Sequence, residues 1–138
     1  MRSAAALVPE RTTRTTPRDM ATLLRLIWSD QAGPAPACAR VRQLMGQQLT
    51  RHRLAAAFLP PARVAAKSGG LVGVVRNEVG VITLPGGRSY AAAVFTQARQ
   101  PGQNDAAINA VIGTAAAAAI GELDGDPEPS GCGDDDRS

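Results

Sequence analysis

The sequence is poor in the residues that build aromatic cores, metal centres and disulfide frameworks. Aromatic side chains make up 3% of its 138 residues, one Trp, one Tyr and two Phe. Ala, Val, Leu and Ile must therefore fill the core, and an apolar fraction of 44% allows it at this length. The two cysteines, Cys38 and Cys132, lie 94 positions apart, which fits neither a disulfide framework nor zinc-ligand spacing. The single histidine, His52, sits between Arg51 and Arg53, with no Ser or Cys at a telling distance. A surface or cap role suits it better than a catalytic one. No apolar run approaches the ~18–20 residues that cross a bilayer, so no membrane partner is expected. Ala4 to Val8 is apolar but shorter than the roughly 7–15 residues of a signal-peptide core, and no such signal is evident. Lysine is nearly absent too: Lys67 stands alone against 14 Arg.

What is present is an uneven charge. Residues 1–120 carry 14 basic and 5 acidic side chains, and residues 121–138 carry 1 basic and 7 acidic. A basic body attracts nucleic acid or an anionic substrate, or is simply a solvated arginine-rich surface. Arg40, Arg42, Arg51, Arg53 and Arg63 make a candidate patch. No aromatic interleaves them and no nucleic-acid motif accompanies them, so no nucleic-acid partner is expected. Asp124, Asp126 and Glu128 mimic the start of a calcium loop, but Pro127 and Pro129 interrupt it, which favours a solvated tail. The length allows one domain. Its parts are an irregular lead-in over 1–15, a folded body over 16–123 and a disordered acidic tail over 124–138.

Within the body, Thr16-Pro17-Arg18-Asp19 has the order of a helix start: a capping hydroxyl, a proline at the first position and an acid in the first turn. Met20, Leu23, Leu24, Ile27 and Trp28 follow as one stripe. Ser29-Asp30-Gln31 reads as the helix terminus, and Gly33-Pro34-Ala35-Pro36 as a break. A second helix is expected over 37–49 with Val41, Leu44, Met45 and Leu49 inward, and a short third one over 54–58, stopped by Pro60-Pro61. The period then shortens. Strands are expected over 63–68, 72–84 and 89–96, the last two joined through Leu84-Pro85-Gly86-Gly87-Arg88 as an antiparallel hairpin. Asn104 or Asp105 should open a final helix with a wide inward face of Ile108, Val111, Ile112, Ala115, Ala116, Ala119, Ile120 and Leu123. The fold class is α+β: N-terminal helices, a three-stranded antiparallel sheet and a C-terminal amphipathic helix.

The residues that can carry chemistry are Lys67-Ser68-Gly69-Gly70, closing the first strand. A strand presents alternate side chains to opposite faces, and glycines let a substrate approach the backbone. A lone lysine there would anchor an anion; the plain alternative is a surface lysine before a glycine turn. Arg76 lies nine residues on, in the next strand, and a Pro-Gly-Gly turn, a third strand and a long helix follow. As a set over residues 12–123, these features resemble the C-terminal half of the class A β-lactamase family, among the penicillin-recognising serine hydrolases. The resemblance implies that Lys67 supplies positive charge beside nucleophile and substrate carboxylate. It implies that Ser68 bonds that carboxylate and that the Gly70 N–H is one oxyanion-hole donor. Gly69 would lie along the substrate, and Arg76 would add a second cation whose planar fork suits a carboxylate.

The family's Ser-x-x-Lys nucleophile motif does not occur here, because Lys67 is the only lysine and Val64 stands three before it. Nor do its Ser-Asp-Asn and Glu-x-x-x-Asn loops. The resemblance places all three ahead of Met1, so the chain is expected to be inactive alone. It implies a β-lactam or other carboxylate-bearing ligand and no cofactor. The alternative is a non-catalytic remnant or anion-binding module. A strand at 89–96 with one unpaired edge, apolar and uncharged from Tyr90 to Phe95, would favour self-association.

Overall fold

The computed structural model describes residues 13–71, 73–99 and 105–125. The elements run α1 (Pro17–Trp28), α2 (Ala35–Gly46), a 3-10 turn (Leu54–Ala57), β1 (Arg63–Leu71), β2 (Val75–Thr83), β3 (Ser89–Gln97) and α3 (Asp105–Gly125). This is the expected α+β architecture. The strands form one antiparallel sheet in the order β1-β2-β3. Its register aligns Val64 with Ile82 and Tyr90, and Ala66 with Gly80 and Ala92.

Helix α1 begins as its sequence indicates. The Thr16 hydroxyl accepts the Asp19 N–H at 3.1 Å and Pro17 takes the first turn, where a missing N–H costs nothing. At its end the Ser29 hydroxyl donates to the Arg25 carbonyl at 2.9 Å, and Asp30 turns the chain with a φ of 56°. Only Leu24 of the stripe is fully buried; Leu23 is exposed.

Helix α2 departs from expectation. It starts two residues early and ends at Gly46, and Val41, Leu44 and Leu49 face solvent. The covered side is Cys38, Arg42 and Met45, turned toward α1 and β1. Arg42 reaches back to the Ile27 carbonyl at 2.6 Å and to Asp30 at 2.7 Å. A helix covered on one side buries whichever face meets its neighbours, and here that face is not the most apolar one.

The first strand extends through Gly69, Gly70 and Leu71. The second begins only at Val75, because Gly73, at φ 77°, and Val74 form the connecting turn. The Val74 N–H closes that turn on the Leu71 carbonyl at 3.0 Å. The β2–β3 turn is where the sequence puts it, with Gly87 at φ 88° and its N–H on the Leu84 carbonyl at 2.9 Å.

Helices cover both faces of the sheet. Helix α3 and the 3-10 turn bury one face in a cluster of Leu54, Val64, Ala66, Ile82, Ile112, Ala116 and Ile120. Helices α1 and α2 lie on the other, where Val81 is buried. Helix α3 uses a narrower stripe than expected: Asn109, Ile112, Gly113, Ala116 and Ile120 are buried, while Val111, Ala115, Ala119 and Leu123 are exposed. Its mixture of Ala, Gly, Thr and Asn hides how apolar it is on average. By length and composition alone, Ala106–Gly125 is sufficient to cross a membrane, contrary to the expectation from uninterrupted runs.

Helix α3 also continues past the expected end of the body. Asp124, assigned to the tail by sequence, is pinned to the β2–β3 hairpin. It accepts the Tyr90 hydroxyl at 2.6 Å and pairs with Arg88 at 2.8 Å. That hydrogen bond, assisted by desolvation, raises the Tyr90 phenol above its usual value near 10; Arg88 opposes the shift. The lead-in before Thr13, Val72, Asn104, Asp126, Glu128 and Cys132 lie outside the described residues.

Candidate carboxylate-binding strand

Strand β1 is an outer strand, so its backbone groups alternate between β2 and open space. Lys67 is exposed, and its ammonium donates to the Ser68 carbonyl. Ser68 is half-buried, and Gly69 and Gly70 are exposed. Gly70 pairs in register with Arg76, and a Cβ there would come within 3.0 Å of the Val75 carbonyl. Strand alternation puts Ser68, Gly70 and Arg76 on the face that carries Val64, Ala66 and Ile82, and Lys67 on the opposite face. The motif thus presents Lys67 on one side of the strand and Ser68 on the other. An open cleft of about 290 Å³ runs along the strand's edge, lined by Leu44, Met45, Gln48, Thr50, Lys67 and Ser68. Clefts of about 500 and 430 Å³ open around Trp28 on the α1 side. They are larger but hold none of the motif.

Beneath the motif lies a buried polar network that the sequence did not disclose. Arg53 is 7% exposed and Glu78 1%. The Arg53 guanidinium donates to Asn109 at 3.0 Å, to the Gly69 carbonyl at 3.1 Å and to the Asn77 carbonyl at 2.8 Å. The Glu78 carboxylate accepts the Leu54 N–H at 2.5 Å and the Gln48 amide at 3.0 Å. The segment after α2 therefore grips β1 and β2 from below with consecutive residues, a cation at 53 and a backbone donor at 54. Each charge is buried with its hydrogen bonds supplied, the condition under which a buried ion is tolerated. No described buried side-chain nitrogen or oxygen lacks a partner.

This corrects the basic patch. Arg53 is interior and Arg42 is paired with Asp30, which leaves Arg40, Arg51 and Arg63 as its exposed members. His52 is exposed, in the bend before the 3-10 turn.

Comparison with known proteins settles what this scaffold is. The profile of the β-lactamase enzyme family matches residues 1–123. The chain belongs to the β-lactamase enzyme family. The β-lactamase regulatory protein BlaB of Streptomyces cacaoi is 32% identical over 108 residues, 70% of this chain and 35% of that protein. Among solved structures, the extended-spectrum β-lactamase TLA-1 superposes with a TM-score of 0.76 at 22% identity, over 89% of this chain and 46% of its own. A point mutant of PBP-A, solved as an acyl-enzyme complex with penicillin G, gives 0.69 at 25% identity, over 83% and 43%. The chain thus spans about a third of the curated relative and under half of these solved ones.

Proposed function

We propose that this β-lactamase-family chain carries the carboxylate-binding wall of a β-lactam site. Lys67 and Arg76 supply positive charge, Ser68 a hydroxyl donor, Gly69 an open approach and the Gly70 N–H an oxyanion donor. What carries the reading is the Lys67-Ser68-Gly69-Gly70 run on an outer strand, with Lys67, Gly69 and Gly70 exposed and Arg76 opposite Gly70. Hydrolysis through an acyl-enzyme requires an activated nucleophile, and the chain's only lysine cannot complete a Ser-x-x-Lys motif. The polypeptide alone therefore binds and does not acylate. The regulatory relative favours a second reading of the same site, in which the bound lactam is sensed rather than cleaved. We also propose self-association of two copies through β3, which pairs with β2 alone among the described strands and is uncharged from Tyr90 to Phe95.

Calorimetric titration with benzylpenicillin tests the wall. Lys67→Ala should weaken binding about tenfold or more, the worth of one charged hydrogen bond, and His52→Ala should leave it unchanged. Equal effects would refute the assignment. Intact-mass spectrometry of the same mixture should show unmodified chain; a stoichiometric adduct would mean that a nucleophile is present.

A further inference from the structure

Gln48, two residues past the end of α2, meets the outward N–H of Ser68. Its Oε1 accepts the Ser68 N–H at 2.7 Å and lies 3.4 Å from the Ser68 hydroxyl. Its Nε2 donates to Glu78 at 3.0 Å and to the Thr50 carbonyl at 2.8 Å. The orientation of this amide has no alternative. Ser68 N–H is a donor and must meet oxygen; the carboxylate and the carbonyl are acceptors and must meet nitrogen. The buried carboxylate is itself fixed from the other side by the Leu54 N–H. A polarised chain thus runs from Leu54 through Glu78 and Gln48 to the outer edge of β1.

We infer that Gln48 is a positioning residue for the ligand-binding strand: anchored by buried Glu78, it pins the backbone of Ser68 and so sets how the Ser68 hydroxyl and the adjoining Lys67 are presented at the cleft. Among the described strands none pairs with that side of β1, and Gln48 takes the place of one at a single residue. For its effect on ligand binding, this assignment rests on the carboxylate-binding reading of β1; for the pinning itself it rests on the contacts above.

Polarity supplies the test. In Gln48→Leu the Ser68 N–H loses its acceptor. In Glu78→Gln the new amide must give its oxygen to Leu54, so its nitrogen faces the nitrogen of Gln48. Turning Gln48 over only moves the clash to Ser68. Combining Gln48→Glu with Glu78→Gln restores the chain, because the carboxylate at 48 accepts from both Ser68 and the amide at 78. The cost falls on the Thr50 carbonyl, which loses its donor and faces a carboxylate oxygen; Thr50 is half-exposed and can turn that carbonyl to water.

The experiment is residue-resolved hydrogen exchange together with benzylpenicillin titration of the full chain and these three variants. Ser68 amide exchange should rise about tenfold in each single variant, with the core amides of Ile112 and Ala116 unchanged, and should return in the double variant. Benzylpenicillin affinity should fall and recover in parallel. Ser68 exchange that does not respond to Gln48→Leu, or a double variant no better protected than the singles, overturns the pinning. Normal affinity in Gln48→Leu despite faster Ser68 exchange overturns the positioning role. If a single variant loosens Ile112 and Ala116 as well, the double variant decides, since pinning requires it to recover Ser68. If the wild-type chain binds no benzylpenicillin, the carboxylate reading fails by itself and the positioning role fails with it, while Ser68 exchange still reads the pinning.

Discussion

Replacing Gly113 by alanine should destabilise this protein, although the same change elsewhere on the same helix should stabilise it. Gly113 faces the 3-10 turn. A Cβ built there would lie 2.7 Å from the Arg53 carbonyl and 3.0 Å from the Ala57 Cβ. Comfortable contacts of this kind begin near ~3.5 Å, so the methyl group is short of room by roughly 0.8 Å and 0.5 Å. The nearer obstacle is backbone and cannot rotate away. Relief requires α3 and the turn to part, beside Leu54 and Ile112, which are both 0% exposed. Overpacking of this kind costs about 1–3 kcal/mol, against a gain of about 1 kcal/mol from removing glycine from a helix interior. Because the nearer obstacle is backbone, the steric cost should lie above the low end of that range and win, for a net loss of up to about 2 kcal/mol. Gly121 is the control: nothing lies within 4 Å of its would-be Cβ, so Gly121→Ala keeps the helix gain. Urea melts of the two variants should move to opposite sides of wild type. With m near 1–3 kcal/mol/M, the two midpoints should differ by about 1 M or more. Equal stabilisation by both would show that α3 and the turn do not approach this closely.

Two further outcomes follow from the same packing. The Tyr90 phenol is raised by its bond to Asp124, so the folded state holds that proton more tightly than the unfolded one. Its contribution is full below pH ~10 and is lost as pH rises through the folded value above 10; Tyr90→Phe should flatten that alkaline decline in melts, and an unchanged decline would place its origin elsewhere. Among the described strands β3 pairs with β2 alone, and Val111 and Leu123 of α3 are exposed, so the isolated chain should be marginally stable and concentration-dependent in size-exclusion chromatography. A strict monomer with one sharp transition well above ~3 M urea would contradict this.

The parts of the fold that were legible in the sequence are those encoded by neighbours along the chain. Thr16, Pro17 and Asp19 mark the start of α1 because a cap is a local device. Pro85, Gly86 and Gly87 mark the β2–β3 turn for the same reason. The covered face of α2 was misjudged because apolar spacing names a stripe but not the neighbour that covers it: Cys38 and Arg42 meet α1 and β1, while Val41 and Leu44 meet water. The split face of α3 has the same cause. In the site, Lys67-Ser68-Gly69-Gly70 is a contiguous string and could be read directly. Gln48 and Glu78 are 30 positions apart, and Arg53 and Asn109 are 56 apart. Four polar residues at such separations carry no local pattern, and only the assembled sheet brings them under the motif. Arg53 was misplaced in a surface patch for that reason.

The central claim is that the exposed end of β1 receives a β-lactam carboxylate. Amide-resolved NMR titration of the chain with benzylpenicillin tests it most directly. Shifts should concentrate at Lys67, Ser68, Gly69, Gly70 and Arg76, and in Lys67→Ala those at Ser68, Gly69, Gly70 and Arg76 should need about tenfold or more benzylpenicillin to reach the same size. Shifts confined to the clefts around Trp28, or a map unaffected by Lys67→Ala, would contradict it.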